Sequence, residues 1–473
     1  MRVLLVQPPQ SESVVGFSKF GCPEPLALEI LAASLPGHEV KILDMRIDSD
    51  LESFVQGYGP QVVGVTGYTP HVPQMLAVCR RTKEFDSDIT TVVGGYHATL
   101  CPEDFATPDV DVVVVGEGER TLPELVGALE AGADLADVPG LVFRHGGEQV
   151  QTLRRELLND LDESPPPARE ATEEYRSRYF FQFWSSPTPV ETARGCPHNC
   201  KFCSVWVFHR RRCRFKSPER VLGELQRAGS EIAYFVDDNF LQNLRRAERI
   251  HQLVKEAGLR LKYWMQARSD SIVKRPDLIE RWANIGLSTV LVGFEKFREE
   301  ELQDLHKRNT VKTNEEAARI LRANGVDIWG AFIVDPSWNK SDFEALTEYV
   351  RRLKISFPQF TVLTPLPGTE FFREKLSELT TRNYELFDFL HSVLPTRLPA
   401  RQFYTEMAHL YSSTTMSLSE LKQRIRSGHI QASGLRRIRN LLSEVTNPDA
   451  YLQGLDGPNH GGAWRENAGP DLG

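Results

Sequence analysis

Cys196, Cys200 and Cys203 stand in the run Gly195-Cys196-Pro197-His198-Asn199-Cys200-Lys201-Phe202-Cys203, with the spacing C-x3-C-x2-C. A loop of this kind can wrap one small metal centre. Iron–sulfur clusters take thiolate ligands, and a cubane would take four. Three thiolates leave one iron open to an outside ligand. A structural zinc site needs a fourth Cys or His. His198, His209 and Cys213 lie close enough in sequence to supply it, so counting alone leaves zinc open. A redox dithiol fits less well, because the third thiol would be idle. The other cysteines, Cys22, Cys79, Cys101 and Cys213, are scattered. This is metal-type usage in a reducing compartment, not a disulfide framework, and it points to the cytoplasm.

The chain must fold so as to hold that loop. Its 473 residues are too many for one ordinary core. A net charge of −8 argues against a nucleic-acid footprint. The opening apolar run stops at Gln7-Pro8-Pro9, unlike a secretory signal, and no stretch approaches the roughly 18 apolar residues of a membrane span. The fold class expected is α/β throughout, with a small helical region at the end. Residues 1–150 alternate short β-rich runs with helical patterns, which predicts a doubly wound, flavodoxin-like domain on a parallel sheet. Asp111-Val112-Val113-Val114-Val115 has the continuous apolar character of a buried parallel strand. A hairpin with a Gly146-Gly147 turn follows. Residues 151–185, with Pro165-Pro166-Pro167, read as a linker. Its aromatic run Phe180–Trp184 could line a pocket, but core packing is the plainer reading. Residues 186–375 resume the alternation as six strand–helix units, the first strand at Val190–Ala193. Polar residues gather at the strand ends, where barrel sites are built. Residues 376–456 read as helices at 383–390, 401–412 and 418–426, expected to cover the barrel mouth and the substrate. The Gly-rich stretch 457–473 reads as a disordered tail.

With Phe202 between the last two thiols, C-x3-C-x-aromatic-C resembles the signature of the radical S-adenosylmethionine (radical SAM) enzymes. The resemblance implies a partial (β/α)6 barrel and a [4Fe–4S] cluster on Cys196, Cys200 and Cys203. SAM would chelate the open iron through its amino and carboxylate groups, and one electron would cleave it to a 5′-deoxyadenosyl radical. The implied SAM contacts are Phe202 near the adenine, Asp237 and Asp238 near the amine, Arg268 at the carboxylate and Glu295 at the ribose. Each acid or arginine could equally form a salt bridge at the barrel rim. Arg194 would neutralise the cluster or stand exposed. The basic run His209–Lys216 reads as solvated, or as a holder of a ligand anion.

The front half carries Gly94-Gly95-Tyr96-His97-Ala98-Thr99, Pro102-Glu103 and Val114-Val115-Gly116-Glu117-Gly118-Glu119. It resembles the cobalamin-binding domain found ahead of radical SAM domains. No D-x-H-x-x-G loop is present, so the resemblance implies base-off cobalamin with no protein histidine on cobalt. Ligands of open α/β sheets sit beyond the carboxyl ends of the strands. The candidates there are Gln7, Gly64, Thr66, Tyr68, Thr69, Gly94, Gly95, His97, Gly116, Glu117 and Gly118. Tyr68 or a neighbour would face the lower side of cobalt. The bland readings are a helix cap for Thr69, a turn hydrogen bond for His97 and helix-dipole acids for Glu117 and Glu119. Tyr404 and His391 are candidate substrate contacts, with core packing the plainer role. The whole resembles class B radical SAM methylases, whose relatives methylate antibiotics and hopanoids. That implies two SAM molecules per turnover, methyl transfer through cobalamin to an unactivated carbon of a natural product or lipid, and an electron donor of flavodoxin or ferredoxin type. The alternatives are oxidation or cyclisation without net methyl transfer, a radical SAM enzyme that has lost cobalamin, and a non-enzymatic metal sensor.

Overall fold

The computed structural model describes residues 1–455 apart from 12, 183, 416–417, 427–430, 432–433 and 454. The tail expected at 457–473 lies outside the described residues. Strands β1 (Arg2–Gln7), β2 (Glu39–Asp44), β3 (Val62–Thr66), β4 (Thr90–Gly94) and β5 (Val112–Val114) run parallel in the order β2-β1-β3-β4-β5. This is the flavodoxin-like order. The hairpin β6 (Leu141–His145) and β7 (Glu148–Gln151) extends the sheet antiparallel past β5. Alternation along the strands divides the core in two. Val3, Leu5, Val62 and Val92 pack on Leu28 and Leu125 of helices Leu26–Ala33 and Gly118–Ala131. Leu4, Val6, Val63 and Val93 pack on Val55 and Met75 of helices Leu51–Tyr58 and Val72–Phe85.

Six parallel strands make the second sheet: β8 (Thr188–Val190), β9 (Ile232–Phe235), β10 (Lys262–Ala267), β11 (Leu287–Glu295), β12 (Asp327–Val334) and β13 (Phe357–Val362), paired in that order. Their outward residues, among them Phe235, Tyr263, Val290, Ile328 and Phe360, pack on the intervening helices. The helix Pro218–Gln226 starts as its sequence dictates, with Pro218 at the first position and Ser217 Oγ accepting the Arg220 N–H. Inside, Ile232, Trp264 and Trp329 pack with Trp184, Phe20 and Phe181, so Phe181 and Trp184 of the aromatic run before β8 are core.

Four sequence expectations change. The first barrel strand ends at Val190, and Ala193–Arg194 pairs antiparallel with Arg214–Phe215 instead. The 151–185 segment is wound as a 3-10 stretch over Arg169–Arg178, and Phe180–Phe181 pairs with Gly21–Cys22. The helix expected at 383–390 is one 3-10 turn, Tyr384–Leu386. There the Asp388 carboxylate accepts the N–H groups of Leu390 and His391, and Phe389 lends its carbonyl to Val362. The last change concerns the C-terminal helices. Helices Leu418–Arg426 and Leu435–Val445 sit at the strand-start end of the barrel, opposite the cysteine loop. Arg424 pairs with Asp327 at the start of β12, and Leu421, Ile425 and Ile438 pack on the tryptophan cluster. On the cysteine side, the short helix Glu370–Lys375 and the largely irregular chain after it do the covering: Phe371 and Leu394 pack with Phe202, and Tyr384 reaches the front domain.

Candidate active site

The cysteine loop is a tight turn held from both sides. Gly195 has φ +88°, and a Cβ there would stand 2.2 Å from the Arg212 carbonyl oxygen. Only glycine fits such an approach. Trp206 donates its indole N–H to the Cys200 carbonyl at 2.9 Å, and Lys201 donates its N–H to Leu305 at 3.2 Å. Burial pushes all three thiols up, Cys203 to about 12. Thiols raised in this way become a ligand set only when a bound cation repays their ionisation. The charges of Arg268 and Lys307 act in that direction on Cys200. The donor set therefore fits a thiolate-bound iron–sulfur centre. Two of the three expected fourth zinc ligands are occupied otherwise. His209 faces Arg214 with Nδ1 and Tyr96 with Nε2, and Cys213 Sγ lies 3.2 Å from the Gly195 carbonyl.

The strand ends sort the expected SAM contacts. Asp237 is consumed structurally: its carboxylate accepts the N–H groups of Thr192 and Ala193 at 2.6 and 2.9 Å, and the Thr192 hydroxyl as well. It ties down the chain entering the cysteine loop and has no free face for a ligand, against expectation. Asp238 is accessible, yet burial and then Asp237 push it up to about 7. Its accessible surface is internal. Arg268 bonds Asp270 at 2.9 Å and the Lys307 carbonyl at 2.8 Å. Glu295 ends β11 with φ +63° and accepts from Lys307 Nζ at 2.6 Å. Gly293 makes room for that pair, since a Cβ there would stand 2.3 Å from the Glu295 carboxylate. A non-glycine residue held in this conformation marks a constrained site. Phe202 packs with Leu305, Ile333 and Leu363.

The strand ends of the front domain face this loop. Tyr68 is 61% exposed, although burial and Asp238 raise its phenol. Tyr96 is raised well above its usual range by burial, then by Asp238, Tyr68 and Cys203. Both rings and Asp238 thus border one internal hollow between the two halves. The Tyr68 and Tyr96 ring centres are 5.7 Å apart, and Tyr96 stacks on Phe208 just after the thiols at 4.4 Å. Backbone opens onto free space nearby: a Cβ on Gly116 would meet nothing within 4 Å, and one on Gly94 nothing nearer than 3.8 Å. That cradle fits a large flat group. Gln7 is half-buried at the end of β1. Thr66 touches Gly95, whose added Cβ would stand 2.5 Å from its hydroxyl.

Other expected contacts are taken up by the fold. Gly64 faces Leu5, and Gly118 faces Leu31 where a helix packs close. His97 is fully buried, with Nδ1 on the Thr69 hydroxyl at 3.1 Å and Nε2 on Asp104 at 2.9 Å. Asp104 also accepts from Tyr384 at 2.5 Å. The group His97, Cys101 and Asp104 could approach a metal geometrically, but both imidazole nitrogens are already engaged. Glu117 joins the two halves: it accepts from Arg194 at 2.9 Å, from Arg214 at 2.9 Å and from the Leu158 N–H at 2.8 Å. Arg194, neither exposed nor facing the thiols, also pairs with Glu119 at 2.5 Å. His391 and Tyr404 are core residues. His391 bonds Asp388, and the Tyr404 hydroxyl accepts the Ser392 N–H. Tyr96, Lys307 and Tyr384 escaped the sequence reading, and Arg214, read there within a solvated or anion-holding run, is buried on Glu117 instead. Of the three that escaped, Tyr96 alone carried a signal, since it stands inside the Gly94-Gly95 motif.

Residues 12–126 match the family described as B12 binding domain, and residues 190–350 match the Radical SAM superfamily. The chain is 30% identical over 444 residues to the hopanoid C-3 methylase of Methylococcus capsulatus, covering 91% of this chain and 85% of that protein. It is 27% identical over 359 residues to the anaerobic magnesium-protoporphyrin IX monomethyl ester cyclase of Synechocystis, covering 71% of this chain and 69% of that protein. The cobalamin-dependent SAM radical enzyme OxsB, solved with aqua-cobalamin and SAM bound, superposes with a TM-score of 0.69 at 17% identity. That alignment covers 96% of this chain and 79% of the other.

Proposed function

The chain belongs to the cobalamin-dependent radical SAM methylases, and from that premise we propose that it moves a methyl group onto an unactivated carbon of a small natural product or lipid. A polycyclic lipid of the kind named for the hopanoid relative is the first candidate. The observation that carries the reading is the meeting of strand ends around that hollow: Tyr96 of the front domain stacks on Phe208 just after the thiols, Tyr68 is exposed beside it, and the exposed Asp238 of the barrel acts on both phenols. A carbon held there lies between two reactive groups at once, which is the proximity that such chemistry needs. When bound, the cluster with SAM supplies a hydrogen-abstracting adenosyl radical, and cobalamin carries the methyl.

This chain's residues do the placing. Asp238 receives the SAM amine at the hollow's barrel side, and Glu295 with Lys307 holds the sugar side. Gly94 and Gly116 would let the backbone approach the corrin, and Tyr68 would pack against it. Cobalamin would be held base-off, with no histidine of this chain offered to it. His97 is enclosed with both nitrogens engaged, and His71 turns Nδ1 back to the Tyr68 N–H at 3.3 Å, which supports this. The irregular chain after β13 closes the hollow against water. We place the enzyme in a reducing cytoplasm, where its seven unpaired cysteines persist. An acidic flavodoxin or ferredoxin would supply electrons. Among the described residues no helix is long and apolar enough to cross a membrane.

The test is anaerobic reconstitution with iron, sulfide and cobalamin, followed by SAM bearing a labelled methyl and a candidate polycyclic lipid. The expected outcome is 5′-deoxyadenosine, S-adenosylhomocysteine and a product heavier by one labelled methyl. Protein that takes up no corrinoid, or a product altered without the label, would sink the methylation reading. The latter result would favour cyclase-type chemistry like that named for the Synechocystis relative.

A further inference from the structure

We propose that Arg154, Arg211 and Arg212, with the half-buried Arg210, form the docking face for a small acidic one-electron carrier protein that reduces the centre in the cysteine loop. This rests on the reading of that loop as an iron–sulfur site. The chain as a whole is acidic, at −8, yet these four cations gather at one place from two separate segments. Arg154 follows the front-domain hairpin, and the other three follow the thiols. Burial and then Arg154 lower Arg210, and Arg212 lowers it further, so the cations feel one another. Among the described residues the acid in ion-pair contact with them is Glu156, 3.4 Å from Arg210 and 3.6 Å from Arg212. Among the described residues neither Arg154 nor Arg211 has an acidic partner. Arg154, Arg211 and Arg212 are exposed.

The backbone holds them out. Arg210 and Arg211 are consecutive non-glycine residues at φ +52° and +58°. They close the helix Val205–Phe208, where Arg210 donates its N–H to the Val207 carbonyl and Arg211 to the Trp206 carbonyl, a C-terminal cap that turns the chain outward. The patch is also the outer skin of the thiol loop. The Arg212 carbonyl lies against Gly195, and Cys213 Sγ is 3.2 Å from the Gly195 oxygen. The Arg211 guanidinium lies 5.1 Å from the Trp206 ring centre, and the Trp206 N–H bonds the Cys200 carbonyl. One side-chain layer therefore separates solvent from the ligands. A carrier of opposite charge would be steered to this face and lose that help in salt. The step balances simply: one electron leaves the reduced carrier and enters the centre, and the carrier is left oxidised by one electron.

Arg154→Glu/Arg212→Glu tests this in the reconstituted holoenzyme, with 5′-deoxyadenosine formation as the readout. Two reductants are compared: dithionite, which needs no docking, and a reduced acidic flavodoxin. The double variant should lose ten-fold or more of the flavodoxin-driven rate at low salt and keep the dithionite-driven rate. Raising the salt should slow the wild type with flavodoxin only. Glu156→Lys, which adds charge of the right sign, should speed the flavodoxin-driven rate, and this holds as a test even if the double variant folds poorly. Unchanged flavodoxin-driven rates in both variants, with dithionite cleavage intact, overturn the docking face alone. No 5′-deoxyadenosine from the wild type with either reductant overturns the cluster reading, and the docking face with it.

Discussion

Asp237 and Asp238 are neighbours at the end of β9 with opposite duties. Asp237 is turned to the backbone of Thr192 and Ala193 and fixes where the thiol loop begins. Asp238 is turned to the hollow, where burial and its neighbour raise it from 3.8 to about 7. The folded value lies above the unfolded one. Asp238 therefore favours the folded chain below the unfolded value, and that contribution is lost as pH rises through the folded one. In the cofactor-free protein Asp238→Asn should raise the melting temperature at pH 8 and flatten the melting profile between pH 4 and 7. The same change should weaken SAM binding in the reconstituted enzyme by ten-fold or more, since a hydrogen bond to a charged group is worth about 1.5–3 kcal/mol. Thermal melts across pH and an equilibrium titration with SAM check both halves. A variant with unaltered SAM affinity would remove Asp238 from the site. The sequence marked the pair by its place at a strand end but not the division of labour. Successive strand residues face opposite ways, and which face holds the ligand depends on chains far away.

At the scale of the element, the thiol loop depends on one glycine. Alanine at 195 would be held at φ +88° with its Cβ 2.2 Å from one carbonyl oxygen and 2.8 Å from the His209 Cβ. The strain alone costs about 1–3 kcal/mol, and the clash must move either the loop or the 209–213 chain. Gly195→Ala should therefore reduce iron uptake sharply and leave the far-ultraviolet circular dichroism of the barrel unchanged. Iron and sulfide analysis after reconstitution decides it, and full loading would show that the loop tolerates the shift. Elements of this kind differ in how well they can be read. The parallel strands were legible because buried strands must be apolar throughout, as Val112–Val114 is. The 383–390 segment was misread because its apolar spacing is helical. Asp388 captures the backbone N–H groups that a helix would need, and Phe389, at φ +68°, bonds the edge strand β13. Of the helices after residue 400, the one at 418–426 was found but placed at the wrong end of the barrel, and its neighbour Leu435–Val445 was not found. Their amphipathic faces say that they bury something, and the tryptophan cluster they cover is assembled from Trp184, Trp264 and Trp329, far apart in the chain.

Over the whole molecule, function requires the two halves to stay face to face, and Glu117 is where they are fastened. Its motif, Gly116-Glu117-Gly118-Glu119, resembled a cofactor loop. Its partners Arg194 and Arg214 lie 77 and 97 residues away, so no local pattern could announce the clamp. Burial works to raise Glu117, but hydrogen bonds from Arg214 and the charges of Arg194 and Arg214 prevail and hold it at about 2 against 4.5 when free. The folded value is the lower one. The clamp thus stabilises fully above the unfolded value and is lost as pH falls through the folded one. The difference between the two values corresponds to about 3 kcal/mol. Glu117→Gln should then lower stability at neutral pH by about that amount, because it leaves Arg194 and Arg214 short of a buried partner. Its deficit against the wild type should shrink below pH 4.5 and nearly vanish by pH 2. With the clamp intact the halves should unfold in one calorimetric transition, and without it the front domain should melt separately and earlier. Urea titrations at several pH values, with scanning calorimetry beside them, read both effects. A variant that melts in one step at the wild-type temperature would mean that Tyr96 on Phe208 and Tyr384 on Asp104 fasten the halves by themselves, and the hollow would then owe its shape to aromatic packing and the tyrosine hydrogen bond instead of the arginine pairs.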